Sequence, residues 1–199
     1  MAVRRAGPSD VAAICATLAL AFATDPIWGP ALARPDGSTE HFERFWRIYV
    51  LGGMRYDTVW MMDDAAAVAV WTPPGGEELS AELEAELDQI VAESLPPESV
   101  TAFHTLGERF DENHPHDVPH AYLDLLATHP DHRGKGIGQQ LLAENLVRFD
   151  AEGVPAFLES SNPANNHRYE RAGFHTIGGF DAVLNDAHVS TMWRDARSG

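Results

Sequence analysis

Leu123-Asp-Leu-Leu-Ala-Thr-His-Pro130, Asp131-His-Arg-Gly-Lys-Gly-Ile-Gly138, Gln139-Gln-Leu-Leu-Ala-Glu-Asn-Leu-Val-Arg-Phe149: this stretch decides the fold. An apolar run stops at Pro130, and a polar turn with Gly134, Gly136 and Gly138 alternating follows. Ile137, Leu141, Leu142, Leu146 and Phe149 then recur on one broad helical face. The reading is strand, glycine loop, helix. Glycine lacks a Cβ, so a ligand can come close to the backbone there. The free N–H groups of the helix's first turn point outward with the positive end of the helix dipole. Such a turn suits a phosphate or pyrophosphate. Arg133 and Lys135 add positive charge in an otherwise acidic chain.

Three phosphate-binding patterns compete for this stretch. The nucleotide P-loop requires Gly-Lys-Ser/Thr at its end, and Gly138 is followed by Gln139 and Gln140. The dinucleotide fingerprint begins at Gly134-Lys-Gly136 and Glu159 lies at about the spacing of its ribose contact, but its third glycine would fall on Gln139, so the match is weak rather than excluded. Arg/Gln-x-x-Gly-x-Gly/Ala after a strand is matched fully by Arg133-Gly-Lys-Gly136-Ile-Gly138. Downstream lie the short strand Phe157-Leu-Glu159-Ser-Ser and the helix Asn162-Pro-Ala-Asn165-Asn-His-Arg-Tyr169-Glu-Arg-Ala-Gly173-Phe174. In this order, the two motifs resemble the acetyl-CoA loop and the Tyr-x-x-x-Gly-Phe signature of the GNAT superfamily of N-acetyltransferases.

Composition bounds the rest. The 199 residues suffice for one α/β domain, expected over 1–199. No apolar run is long enough to span a membrane, and the first residues lack a signal peptide's apolar segment. The single cysteine, Cys15, rules out an internal disulfide and suits a reducing cytoplasm. The net charge of −16 and pI near 4.8 argue against nucleic acid as a partner. The same field would attract a protonated amine.

Val3-Arg-Arg-Ala reads as a first strand, with Ser9 or Asp10 capping the helix that follows. Val11, Ile14, Cys15, Leu18 and Phe22 recur at helical spacing, which makes Cys15 a packing residue rather than a nucleophile. Phe42, Phe45, Trp46, Tyr49 and Val50 mark a second amphipathic helix. Thr58–Met62 and Ala67–Trp71 read as a hairpin. Glu77–Leu95 is helical, with one apolar stripe and acids elsewhere, read as a solvated helix; another helix is expected over about Val100 to Glu112. His114, His116 and His120 are read as loop histidines, with no metal site expected. Phe174–Ile177, Val183-Leu184 and His188–Trp193 are read as closing antiparallel strands.

The resemblance implies a mixed, mostly antiparallel sheet splayed at an acetyl-CoA cleft, with helices on both faces. It implies direct acetyl transfer from the thioester to a neutral amine, aided by hydrogen-bond donors at the oxyanion and a proton donor at the leaving thiolate. Backbone groups of Leu126, Ala127 and Thr128 would pair with the pantetheine arm. The amides of Arg133, Gly134, Lys135, Gly136, Ile137, Gly138 and Gln139 would hold the pyrophosphate. Asn165 would contact the cofactor, and Tyr169 would contact it and protonate the sulfur. Phe22, Asp25, Trp28 and Trp46 are candidates for the acceptor pocket, although most such aromatics fill core. On an ideal strand Tyr122, Asp124, Leu126 and Thr128 share one side, so Asp124 faces as the proposed thioester does. Either Asp124 or Glu159 could be the base, directly or through water.

Ala66-Ala-Val-Ala-Val-Trp71-Thr and Gly153-Val-Pro-Ala-Phe-Leu-Glu159, with the two motifs, are similar to the puromycin N-acetyltransferase type. The acceptor side departs from it at Asp124, Arg168, the acidic Glu77–Glu98 segment and the histidine loop. The expected partner is a small-molecule amine, with an aminonucleoside or other antibiotic among the candidates, with no nucleic acid and no membrane, and the chain is expected as a monomer or homodimer. A protein or peptide N-acetyltransferase and a non-catalytic acyl-CoA-binding module are the alternatives.

Overall fold

In the computed structural model, which describes residues 2–185 and 187–197, the chain forms one seven-stranded sheet in the order β1-β2-β3-β4-β5-β7-β6. The strands are β1 (Val3–Arg5), β2 (Val59–Met62), β3 (Ala67–Thr72), β4 (Ala121–Thr128), β5 (Ala156–Ser160), β6 (His175–Asp181) and β7 (His188–Arg194). Only β4 and β5 are parallel neighbours; the other pairs are antiparallel. The β2–β3 hairpin turns through Asp63 and Ala65, both at positive φ. Val183 and Leu184, expected in a strand, lie in the turn between β6 and β7.

Helices cover both faces of the sheet. On one, α1 (Val11–Phe22), α3 (His41–Met54) and α4 (Ala81–Ser94) pack on Val68, Val70, Leu125 and Ala127. The short α2 (Trp28–Ala31) and the longer α5 (Pro97–Asn113) complete this side. On the other face, α6 (Ile137–Glu152) presents Ile137, Leu141, Leu142 and Leu146 to Ala69, Trp71, Leu123 and Leu158, beside α7 (Asn166–Ala172). Each such aliphatic side chain, fully buried, contributes about 1.5–3 kcal/mol from loss of apolar surface to water. Cys15 is buried among the α1 contacts, as its spacing implied, and burial pushes its thiol up to about 11.

The expected cap at the start of α1 is replaced by another contact. Asp10 accepts from the Gly7 amide at 2.8 Å and from both terminal nitrogens of Arg4, at 2.7 and 2.8 Å. The C-terminal strand is clamped differently: Arg194 donates to Asp150 Oδ1 and Oδ2, each at 2.7 Å, and to the Ala172 carbonyl at 3.0 Å.

Two irregularities create the cleft. The β4–β5 ladder holds only at Ala121↔Ala156 and Tyr122↔Phe157, after which β5 stays with β7 and leaves β4. In the β3–β4 ladder, Val70 pairs with Leu125 but Trp71 pairs with Leu123, so Asp124 is the extra residue of a bulge. A bulge shifts side-chain alternation by one. This corrects the shared side expected for Tyr122, Asp124, Leu126 and Thr128. Tyr122 and Asp124 point to the α3–α5 side, whereas Leu126 packs with the α6 side and Thr128 approaches the start of α6.

Candidate active site

The glycine loop lies beyond the C-terminal end of β4. Gly134 and Gly136 have φ of +78° and +74°, with nothing within 4 Å of a hypothetical Cβ at either position. Both therefore need glycine's left-handed conformation, and both leave open space above the backbone. Gly136 is the N-cap of α6 and no side chain caps this end, so the amides of Ile137, Gly138 and Gln139 form a first turn free of side-chain competition. A Cβ on Gly138 would stand 2.6 Å from Thr128 Oγ1, so this glycine holds α6 against β4. Arg133 donates to the Ala21 carbonyl at 3.2 Å, tying the loop to α1, and Lys135 donates to the Asp131 carbonyl at 3.1 Å. Open glycines, an uncapped helix start and a β4 backbone that has parted from β5 fit a pyrophosphate and its extended arm.

Asn165 accepts from Arg168 at 2.8 Å near the start of α7. Tyr169 packs half-buried against Phe174, and burial lifts its hydroxyl to about 12, with nearby Asp25 acting in the same direction. Asp25 Oδ1 caps the Ile27 and Trp28 amides, and its Oδ2 accepts from Ser161 at 2.7 Å. It thus joins the α1–α2 turn to the end of β5.

On the opposite side of the bulge is a cavity of about 900 Å³. Its floor is Thr72, Tyr122, Asp124 and Glu159, and α4, α5 and residues 114–120 roof it. Of the expected acceptor residues, Trp28 and Trp46 line it and Phe22 and Asp25 do not. Phe22 stacks behind Trp46 at 4.5 Å, in core, while Trp28 stacks on Phe110 at 5.6 Å.

Three carboxyls meet here, where two were expected. Asp124 accepts from Thr72 Oγ1 at 3.0 and 3.1 Å. Burial raises its pKa well above the ordinary aspartate value, and the neighbouring Glu78 adds to the rise. Burial, then repulsion from Glu159, lifts Glu78 to about 7. Glu159 is raised by burial against the opposing effect of His114. Its side chain is 2% exposed, and neither carboxyl oxygen has a hydrogen-bond partner among the described residues.

The histidine segment is loop, as read, but two of its side chains are engaged. His114 and His120 are not free loop side chains: His114 Nδ1 stands 3.6 Å from Glu159, and the two Nε2 atoms are 3.1 Å apart. His120 Nδ1 lies 2.7 Å from the Val118 carbonyl, which can only accept. Nδ1 of His120 therefore carries the proton, its Nε2 accepts, and His114 Nε2 donates. In neutral His114 this leaves Nδ1 as an acceptor towards Glu159. The tautomer of His120 thus sets that of neutral His114, whose Nδ1 faces Glu159 Oε1 at 3.6 Å, beyond hydrogen-bond distance. Among the described residues, no group of three or more His, Cys, Asp or Glu stands where it could hold a metal ion.

Glu78, His114, Tyr122 and Thr72 were the residues missed. Thr72 and Tyr122 were visible as strand neighbours, but only the register Thr72↔Tyr122 brings Thr72 beside the bulged Asp124. No local pattern marks Glu78, which precedes the Ser80 cap of α4.

Residues 86–176, under half of the chain, match the family description acetyltransferase (GNAT) domain, and the fold with its glycine-loop cleft is of that class. Mycothiol acetyltransferase of Propionibacterium freudenreichii is 36% identical over 62 residues, 30% of this chain but only 20% of that protein. An uncharacterized N-acetyltransferase of Schizosaccharomyces pombe is 27% identical over 87% of this chain and 74% of its own. Among solved structures, arylalkylamine N-acetyltransferase 2 of Aedes aegypti superposes with a TM-score of 0.68 at 16% identity, covering 98% of this chain and 99% of that one. A Corynebacterium glutamicum structure described as histone acetyltransferase HPA2 and related acetyltransferase gives 0.64 at 23% identity, covering 99% and 97%. These superpositions establish the GNAT fold. No described helix is long and apolar enough to cross a membrane.

Proposed function

We propose that this protein is an acetyl-CoA-dependent N-acetyltransferase acting on a primary amine of a small molecule. The observation that carries this reading is that one strand serves two sites: a glycine loop follows the end of β4, and the bulged Asp124 of β4 floors a roofed, acid-lined cavity. Acetyl-CoA supplies an activated acetyl group. The amides of Arg133 to Gln139 would hold its pyrophosphate, the backbone of Leu126, Ala127 and Thr128 would pair with its arm, and Asn165 would add a side-chain contact.

The amine reaches the cavity as an ammonium and must lose a proton before it can attack. Asp124 and Glu159 are the proposed acceptors of that proton, with Glu78 sharing the charge. A carboxyl lifted by burial is a stronger base than one in water. His114 would pass the proton on from Glu159 Oε1, because its Nδ1 is an acceptor in the tautomer set by His120. Tyr169, held near 12, stays protonated at neutral pH and can donate from its hydroxyl to the departing sulfur. Cys15 takes no part, because it is buried in core away from the cavity.

A cavity of about 900 Å³ under α4, α5 and residues 114–120 suits a small acceptor. An aminonucleoside or related antibiotic remains within this reading, as does a cytoplasmic location and a role in resistance. The test is thiol release from acetyl-CoA with puromycin, polyamines, aminoglycosides and a peptide amine as control. Turnover of a small amine supports the reading. Tight acetyl-CoA binding with no turnover on any amine would favour a binding module instead.

A further inference from the structure

The lining of the cavity is one-sided in charge. Its acids include Glu78, Asp124 and Glu159 deep inside and Glu84, Asp88 and Asp117 at the exposed mouth, while no described Lys or Arg lines it. On α4 the acids divide by direction. Glu93 and Glu86 turn to α3, where Arg44 and Arg47 meet them at 2.8 and 4.0 Å. Glu84 and Asp88, one turn apart, turn to the cavity and have no ion-pair partner among the described residues. Like charges at this spacing repel.

Glu159 lines the same cavity, and its two carboxyl oxygens are buried with no hydrogen-bond partner among the described residues. Buried carboxyl oxygens are almost always hydrogen-bonded, so a donor is missing from this site. An ammonium offers three donors and a compensating charge. Trp28 and Phe110, stacked on each other at 5.6 Å, give the same cavity an apolar wall that suits a methylene chain.

We infer that the acceptor is a linear diammonium or polyammonium compound, with one nitrogen seated at Glu78, Asp124 and Glu159 and a second held at Glu84 and Asp88. The nitrogen to be acetylated rests on the acetyltransferase reading above; the cation site does not. In the balanced reaction, the inner ammonium gives one proton to a carboxylate and its nitrogen bonds to the acetyl carbon. The carbon–sulfur bond breaks, and the nitrogen's second proton is matched by the one the sulfur gains. One proton is released overall, and the outer ammonium is unchanged.

The test uses butylamine, 1,4-diaminobutane and a linear triamine as acceptors at low and high salt, with calorimetric binding of each amine in the absence of acetyl-CoA. The diamine's kcat/KM should exceed that of butylamine by about tenfold or more at low salt. That ratio should shrink with added salt and in the double variant Glu84→Gln/Asp88→Asn, whose changes lie on an exposed helix face. Equal turnover of butylamine and the diamine would overturn the proposal while leaving acetyl transfer intact. Preference for a basic peptide over both would also overturn it. Diamine binding without acetylation of any amine would support the cation site and defeat the transferase reading. Failure of the diamine and the triamine to bind would overturn the proposal outright.

Discussion

Gly138→Ala should weaken acetyl-CoA binding, and Thr128→Ala should restore it. The glycine motif admits alanine at this position, but this chain places Thr128 Oγ1 2.6 Å from where the new Cβ would stand. Ordinary Cβ contacts begin near 3.4 Å, so either the first turn of α6 or the end of β4 must move. Overpacking of this kind costs about 1–3 kcal/mol. If the turn moves away in the free protein, ligand binding must draw it back, and affinity falls about 5- to 150-fold. If it does not move, the cost appears as lost stability, at about 2–4 °C in Tm for each kcal/mol in a chain of this size. Removing Oγ1 leaves only Thr128 Cβ, 4.0 Å away, which is an acceptable contact. Calorimetric Kd for acetyl-CoA and Tm, measured on wild type, both single variants and the double, close the cycle. Gly138→Ala matching wild type in both quantities would refute the reasoning. So would a double variant no better than Gly138→Ala alone.

Other predictions concern the clamp, the proton donor and pH. Arg194→Met leaves Asp150 and the Ala172 carbonyl without their partner and should cost about 3 kcal/mol in chemical denaturation. Tyr169→Phe should lower kcat by about a hundredfold or more while acetyl-CoA Kd stays near wild type; an unchanged kcat would remove the proton-donor role. Glu159→Gln should lose the acidic limb of the kcat/KM–pH profile if that carboxyl accepts the amine's proton, and an unaltered limb would assign the step elsewhere. The free protein should be most stable in mildly acidic solution. Glu78 moves from an ordinary 4.5 to about 7 on folding, so the folded state binds the proton more tightly and stability falls as pH rises through that window. Asp10 is lowered to about 2 by Arg4, so its contribution is present above the unfolded value and lost as pH falls towards 2. Tm measured across pH tests both limbs, and Glu78→Gln should flatten the upper one.

Much of the glycine-loop side was legible because it is local. A strand, alternating glycines and an amphipathic helix are contiguous in the chain, and their dihedral and capping needs are written in residue type. The β2–β3 hairpin and the faces of α1 and α3 were legible for the same reason: alternation and helical spacing act over a few residues. Asp124 and Glu159 could be named because they lie on adjacent predicted strands.

The acid-lined cavity was legible only in pieces. Asp124 turns towards Thr72 and Glu78 because a bulge interrupts β4, and nothing in Leu123-Asp-Leu-Leu announces which residue the partner strand will skip. His114 and His120 look like loop residues until the segment folds back over β5 and brings one of them to Glu159. The acids of α4 are a uniform run in sequence. Packing divides them into those that meet α3 arginines and those that face the cavity.

The sequence by itself therefore determined the strand–loop–helix unit, the glycines, the apolar faces and hence the GNAT fold, since each rests on interactions between near neighbours in the chain. Tertiary structure alone decided which acids share one buried space, which proton the histidines hold and how large the cavity is. Those properties depend on distance and dielectric between residues far apart in the chain, and only the packed register sets them.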